Sequence, residues 1–304
     1  MTLHIVSASR RTDIPQFYGD WFAFRRKAGY CESRNVFGGS YRISLRSEDV
    51  AAYLFWSKNT TPFERQIDAL LAEGIPVAIQ FTLTGYGRSV EAAIPEAPVT
   101  IPAFRRVSAL LPGPAAIQWR YDPILLSECR GADWHRRNFR RIASRLEGAT
   151  RVCNISFIEP YLKVVRRMGS GITYRTADIE RHRRVSAKYP RLRQPGGEGA
   201  RLAEDLSAIA KEHGMELRAC SNPEYRLPRA QCCGVELFGG YGIAGKLEGS
   251  PPGPSRMSCR CLKVLDIGMD NTCPGGCRYC YVTDAPITAE RNFQHHAVDA
   301  VRMR

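Results

Sequence analysis

The chain has 304 residues, is 44% hydrophobic and 24% charged, and carries a formal net charge of +14. That length and apolar fraction allow a substantial core and exclude a disordered or fibrous protein. No run of about 18 apolar residues occurs, and the start "MTLHIVSASRRTDIP" reaches charge after too short an apolar run for a secretory leader, so a soluble, cytoplasmic protein without membrane contact is the expectation.

In chain order, short apolar, β-branched runs recur between longer amphipathic stretches. "LHIVSAS" (3–9), "AAYLFWS" (51–57), "PVAIQFTLT" (76–84), "AAIQWRYDPIL" (115–125), "RVCNISFIE" (151–159), "ELRACS" (216–221) and "KVLDIGM" (263–269) each read as a buried strand. Between them, "TPFERQIDALLAEG", "IPAFRRVSALLPG", "DWHRRNFRRIASRLEG" and "GEGARLAEDLSAIAKEHG" read as helices closed by glycine. The alternation predicts an α/β fold with a mostly parallel sheet or barrel. Residues 222–258, rich in Gly and Pro and including "GSPPGPS", form a loop-rich insert between 1–221 and 259–304, all within one structural domain.

In parallel α/β folds, chemistry sits at the carboxyl ends of the strands. Here those ends are polar: "SRRTD", "WSKN", "TLTGYG", "WRYDP" and "SFIEPY". They bring Arg10, Arg11, Asp13, Lys58, Asn59, Thr82, Thr84, Arg120 and Asp122 toward one mouth. Any one of these taken singly is more readily a helix cap or a structural ion pair; five polar ends together point to a site.

The charge is uneven. Residues 135–193 hold 16 Lys and Arg against 4 Asp and Glu, most of the net +14. Such a surplus fits a nucleic-acid partner and equally fits solvated helix faces such as "IERHRRVSAKYPRLR".

Eleven cysteines in a chain expected to meet a reducing cytosol point to metal or redox chemistry rather than disulfides. Cys31, Cys129 and Cys153 are scattered, whereas the other eight crowd the last third. In "NTCPGGCRYCYVTD", Cys273, Cys277 and Cys280 have the spacing Cys-x3-Cys-x2-Cys. Three thiolates on a tight loop can hold three irons of a 4Fe–4S cubane and leave the fourth open. Structural zinc wants four ligands in paired knuckles, and a bacterial ferredoxin wants Cys-x2-Cys-x2-Cys. A bare redox pair, Cys277 and Cys280, leaves Cys273 unexplained.

The motif resembles the cluster loop of the radical S-adenosylmethionine (SAM) superfamily, with Tyr279 at its aromatic position, and "TCPGGCRYCY" is most similar to the spore photoproduct lyase branch. The resemblance implies a 4Fe–4S cluster on Cys273, Cys277 and Cys280. It also implies SAM at the open iron, a 5′-deoxyadenosyl radical, and an electron donor such as flavodoxin or ferredoxin. In that superfamily the loop follows the first strand, whereas here it follows the last. "SASRRTDIPQFY", "FWSKN" and "FTLTGYGRSVEAAIP" resemble the later lyase segments in order, the last with Glu91-Ala92-Ala93 in place of a Glu-Pro loop. The implied fold is a circularly permuted partial (βα) barrel, with the strand before Cys273 beside the strand before Ser7. The whole chain also resembles the bacterial family called domain of unknown function 1848, through "SASRRTDIP", "FWSKN", "WRYDPIL" and the terminal "DIG…GCRYCY", with Asp270 where a Tyr is expected.

Cys220, Cys233, Cys259 and Cys261 are candidates for a second four-ligand site, zinc or an auxiliary cluster, with Cys232 as the spare because neighbours seldom both face one ion; unrelated buried thiols are the alternative. His295 and His296 in the tail are set aside as surface residues. The leading expectation is a radical SAM enzyme acting on a nucleic-acid or nucleotide substrate, with Arg10, Arg11, Asp13, Lys58, Arg120 and Asp122 as cofactor or substrate contacts. The alternative is a non-catalytic nucleic-acid-binding protein stabilised by zinc or an iron–sulfur cluster.

Overall fold

A computed structural model describes residues 3–34, 38–169, 171–189, 192, 197–220, 223–247, 251–253 and 259–303. The strands are β1 (His4–Ala8), β2 (Tyr30–Arg34), β3 (Ser40–Ser44), β4 (Val50–Ser57), β5 (Val77–Thr82), β6 (Ile117–Ile124), β7 (Val152–Phe157), β8 (Glu216–Ala219) and β9 (Leu265–Asp266). The helices are α1 (Ile14–Phe17), α2 (Gly19–Ala28), α3 (Glu64–Ala72), α4 (Ala97–Leu110), α5 (Ala132–Leu146), α6 (Leu162–Met168), α7 (Thr176–Arg181), α8 (Arg183–Lys188), α9 (Glu198–Glu212), α10 (Ala244–Leu247) and α11 (Pro286–Gln294).

Seven strands form one sheet in the order β8-β7-β6-β5-β4-β1-β9, with every neighbouring pair parallel. Parallel strands are covered on both faces, which is why "VAAYLFWS" of β4 carries no outward polar alternation and all eight of its residues are buried. Side chains alternate between the faces, and the two sides are filled differently. On one face Val77, Ile79 and Phe81 of β5 and Trp119 and Tyr121 of β6 join Leu70 of α3, Phe104 of α4, Phe139 and Ile142 of α5 and Leu206 of α9 in the main core. On the other, Ile5, Leu54, Trp56 and Ala78 pack against Leu237 and Phe238 from the insert. The insert, with α10 and its Leu247, is thus a plug on the face opposite α3, α4, α5 and α9, and Tyr241 fastens it by donating to the Val77 carbonyl at 2.7 Å. Beside that plug the same face carries buried amides. Gln80 and Asn154 both donate to the Gln118 side-chain oxygen, at 2.8 and 2.7 Å, while the Asn154 Oδ1 is buried without a partner.

All seven expected strands are present, but "KVLDIGM" forms a ladder only at Leu265 and Asp266, which pair with Val6 and Ser7. The reason is Asp266. Its carboxylate accepts from Ser7 Oγ (2.9 Å), Ser9 Oγ (2.8 Å), Arg10 N (2.9 Å) and Gly268 N (3.0 Å), replacing a ladder with a side-chain knot. The antiparallel pair β2–β3 is an element the apolar pattern does not predict. The helical stretch "IERHRRVSAKYPRLR" is split between α7 and α8, and Arg191 and Arg193 at its end lie outside the described residues, as does most of "GSPPGPS". Among the described residues no helix is long and apolar enough to cross a membrane.

Candidate functional site: two cysteine groups in one cavity

A cavity of about 350 Å³ opens where β1, β4, β6, β7 and β8 end. It is lined by Arg10, Arg11, Asp13, Lys58, Arg120 and Asp122, by Tyr279 and Cys273, Cys277 and Cys280, and by Cys220, Cys233, Cys259 and Cys261, together with Cys232. The cysteines and most of the strand-end residues, Thr82 included, therefore reach one space, whereas Thr84 lines a neighbouring pocket and Asn59 is buried with its N–H on the Ser57 hydroxyl at 3.0 Å. Among the described residues no three or more His, Cys, Asp or Glu side chains are already drawn to metal-ligating geometry.

The loop carrying Cys273, Cys277 and Cys280 is held by its backbone. Tyr18 donates to the Thr272 carbonyl at 2.7 Å, and the Thr272 and Thr12 hydroxyls are hydrogen-bonded at 2.6 Å. Ala93 N donates to Gly275 O (3.2 Å) and Arg278 N to Val90 O (2.9 Å), and Glu91 pairs with Cys277 in an isolated antiparallel bridge. Small residues permit this approach. Gly276 has φ +66°, and a Cβ there would stand 3.0 Å from the Cβ of Ala92. On the other side Arg167 of α6 donates to the carbonyls of Arg278 (2.9 Å), Thr283 (2.6 Å), Asp284 (3.1 Å) and Cys280. Burial pushes the Cys273 thiol up to about 12 and Cys277 well above its ordinary value, the latter against the pull of Lys58. Their charge fields include one another and Cys280.

The charged candidates divide by what they touch. Asp13 is the N-cap of α1: it accepts from Gln16 N (3.1 Å), Ser57 Oγ (2.7 Å) and Lys58 N (2.8 Å), while burial pushes it up to about 6 against those bonds. Arg11 reaches Asp266 (3.4 Å), the Arg34 carbonyl (2.8 Å) and Ser33 Oγ (2.9 Å), tying β1 to β2. Arg10 keeps its side chain 38% exposed at the rim, 3.8 Å from Asp266. Lys58 donates to Glu91 at 2.8 Å and lies 5.5 Å over the Tyr279 ring, whose hydroxyl also donates to Glu91. Arg120 lies over Trp56 at 4.7 Å and pairs with Asp122, which Ser156 also donates to. Burial opposes the charge on Arg120, but Asp122, Cys232 and Cys220 outweigh it and hold the guanidinium protonated.

Cys220, Cys232, Cys233, Cys259 and Cys261 all line the cavity as well. Cys232 and Cys233 are both buried in the apolar cluster of the insert, against which Cys220 and Cys261 pack, and the Cys233 carbonyl accepts from Leu262 N at 2.8 Å. The neighbouring thiols Cys220 and Cys261, with burial, push Cys232 well above its ordinary value, while Cys232 and Cys259 hold Cys261 below its own.

The family described as "Domain of unknown function (DUF1848)" matches residues 5–282. The chain belongs to this family. No curated protein matches it. Among solved structures it is similar to the apo structure of a beta-glucosidase 1317, at 12% identity and TM-score 0.29, over 54% of this chain and 47% of that one. The chain spans about half the length of that protein, and so slight a likeness carries no argument.

The DUF1848 span encloses both cysteine groups and also the residues that sequence reasoning passed over: Glu91, Arg167 and Asp266. Glu91 was visible only as an oddity of "EAAIP". Asp266 had a signal, since an acid inside an otherwise apolar strand demands partners. Arg167 had none, being one arginine among many in the basic region. Part of that region is committed to internal pairs: Arg136 with Asp205 (2.7 Å), Arg140 with Glu212 (2.9 Å) and Arg175 with Asp178 (2.6 Å).

Proposed function

We propose that this DUF1848 protein is a radical SAM enzyme built on a circularly permuted partial barrel. The observation that carries the reading is the placement of Cys273, Cys277 and Cys280 on one wall of a cavity at the carboxyl ends of a parallel sheet, on a loop clamped from both sides. Two further features support it. The four helices α3, α4, α5 and α9 share one side of a sheet whose order steps in one direction from β9 to β8, the winding that curls a sheet toward a barrel. Next, β9, the cysteine loop and α11 run straight up to the position of β1, with Phe293 of α11 packed on Phe17 and Tyr18 at 5.9 and 5.2 Å. On this reading β9, α11 and β1 correspond to a βαβ unit taken in permuted chain order.

The residues fit the group in kind and number: three thiols on one loop, for three of the four irons of a 4Fe–4S cluster. When bound, the cluster and SAM would supply one-electron cleavage of a carbon–sulfur bond and a 5′-deoxyadenosyl radical. The chain's own contribution is placement and shielding. Arg167 and Thr12 fix the loop, the Lys58–Glu91 pair fixes Tyr279 behind it, and the cavity of about 350 Å³ is of the size that takes small-molecule ligands. With net charge +14 and Arg10 at the rim, the substrate class is anionic, a nucleotide or nucleic acid, and the electron donor a flavodoxin or ferredoxin.

The test is anaerobic reconstitution with iron and sulfide, followed by incubation with SAM and dithionite. The expected result is 5′-deoxyadenosine from the native chain and none from Cys277→Ala. Equal product from that variant sinks the reading.

A further inference from the structure

We infer that the outer side of the loop bearing Cys273, Cys277 and Cys280 is the docking surface for an acidic electron-carrier protein, with Arg88, Arg166 and Arg278 as its charged anchors. The inference rests on the radical SAM reading, since it concerns the partner that reduces the cluster of that same loop.

The loop has two sides. Cys277, Tyr279, Cys280 and Tyr281 line the cavity, whereas Arg278, set among them, does not. Arg278 is exposed, and its backbone N–H donates to the Val90 carbonyl at 2.9 Å. Residues 88–93 therefore run beside the loop, joined to it also by Ala93 N on Gly275 O at 3.2 Å and by the Glu91–Cys277 bridge. Arg88 begins that segment and is exposed. From the other flank α6 brings Arg167 onto the Arg278 carbonyl at 2.9 Å, and the Arg278 guanidinium donates back to the Arg167 carbonyl. Arg166, its neighbour in the helix, is exposed as well. Three exposed guanidiniums from three segments thus flank one short stretch of loop.

Their charge is left uncancelled. Among the described residues Arg88, Arg166 and Arg278 stand in no ion pair, unlike Arg136, Arg140 and Arg175 of the same basic chain. Asp284, the acid that follows the loop, is taken by Lys163 at 2.7 Å and Asn271 at 2.8 Å.

The cover over the cysteines is thin on this side. Ser89, Ala92 and Ala93 are small and exposed, and Gly275 and Gly276 carry no side chain. Electron transfer falls steeply with distance, so a reductant has to sit where little side-chain matter separates it from the loop. Complexes of electron carriers are small and transient and are assembled by opposite charge, which makes a positive face selective for an acidic carrier. A polyanionic substrate fits this face less well. Its reacting atom must enter the cavity, and none of the three arginines lines that space.

The test measures 5′-deoxyadenosine from SAM with the reconstituted full chain, reduced by dithionite, by reduced flavodoxin or by reduced ferredoxin in separate arms. In the double variant Arg88→Glu, Arg166→Glu, the KM for the carrier that drives the native chain should rise about tenfold, and the ratio of carrier-driven to dithionite-driven rate at low carrier should fall with it. Added salt should raise the same KM in the native chain and do so far less in the variant. Arg145→Glu with Lys211→Glu makes an equal change of charge in the last turns of α5 and α9, at the end of the sheet opposite the cavity, and should move the KM by less than about twofold. Dithionite-driven product with an unchanged carrier KM in the first variant, an equal rise in the second, or no product from the native chain with either carrier would overturn the docking surface and leave the radical SAM reading standing. If single-stranded DNA binding fell in the first variant while its carrier KM stayed unchanged, the arginines would belong to a nucleic-acid surface instead. No product from the native chain with dithionite would overturn the radical SAM reading itself, and the docking surface with it.

Discussion

Lys58 Nζ donates to Glu91 Oε1 at 2.8 Å, and the backbone of Glu91 is itself bridged to Cys277. Glu91 is 5% exposed and takes two further donors, Thr84 Oγ1 at 2.7 Å and the Tyr279 hydroxyl. Burial opposes both charges, yet Glu91 holds Lys58 above its ordinary value and Lys58 holds Glu91 below it, so the pair is ionised. A buried pair of this kind is costly to break from one side. Glu91→Ala should destabilise the chain by about 3–5 kcal/mol, because it strands a buried ammonium. Replacing both partners, Lys58→Met with Glu91→Gln, should recover most of that. Urea unfolding midpoints of the two variants decide it, and equal losses would show that the pairing is not what matters.

Arg167 makes a different kind of contact: four donations into the carbonyls of the cysteine loop from a helix that carries no cysteine. Its substitution should spare the fold, since α6 is held by Val164 and Val165 in a separate apolar cluster. Charged hydrogen bonds contribute about 1.5–3 kcal/mol each, so Arg167→Ala should loosen the loop by at least one such bond. The expected readout is iron loss to a chelator from reconstituted protein about tenfold faster than from the native chain, at about 1.4 kcal/mol per decade. An unchanged rate would mean that Thr12 and Tyr18 hold the loop without it.

The sheet was legible because parallel strands buried on both faces write themselves as continuous apolar runs, as "AAYLFWS" does. The hairpin β2–β3 was not, because "YCESR" and "SYRIS" mix charge into strands that lean on the main sheet through single residues such as Ile43 and Tyr41. The mouth was legible as a place and less so in its parts. Asp13 and Arg11 stand where the strand ends put them, yet their hydrogen bonds are spent on a helix cap and on β2. Spacing alone cannot tell Cys232 from Cys233, since adjacent residues differ only in which way the chain turns them. Both are buried in the apolar cluster of the insert and both line the cavity.

Asp266 joins the last strand to the first. Five donors converge on its carboxylate, from Ser7, Ser9, Arg10, Arg11 and Gly268, and a Cβ at Gly268 would run into Ser9 Oγ. With only two residues of ladder in β9, this knot rather than strand pairing docks the segment that leads to Cys273. Asp266→Ala should cost about 2–4 kcal/mol, the loss of more than one charge-assisted hydrogen bond. The damage should be local: hydrogen exchange should quicken in residues 263–284 and stay slow in β4 and β5. Uniform acceleration across the sheet would mean that β9 is not an independently docked element.

His135 makes the fold sensitive to acid at a point away from both cysteine groups. It is fully buried on α5, with Nε2 3.1 Å from the Leu125 carbonyl and Nδ1 2.8 Å from the Tyr121 hydroxyl. A carbonyl only accepts, so Nε2 carries the proton and Tyr121 donates to Nδ1. The Tyr121 oxygen already accepts from Asn138 at 3.1 Å, so a second ring proton would set donor against donor. Burial pushes His135 down to about 4, the Leu125 carbonyl resists, and Arg130, the charged group facing the ring, adds to the fall. With an unfolded value near 6.5, the unfolded chain binds the extra proton first as pH drops. The stabilisation is therefore complete above about pH 6.5, is lost as pH falls toward 4, and amounts to about 3 kcal/mol across that window. His135→Gln keeps a donor for Leu125 and an acceptor for Tyr121 but cannot titrate. Between pH 7.5 and pH 5 the native chain should lose about 2 kcal/mol more than this variant in urea unfolding. Equal losses in the two proteins would assign the acid sensitivity to other groups.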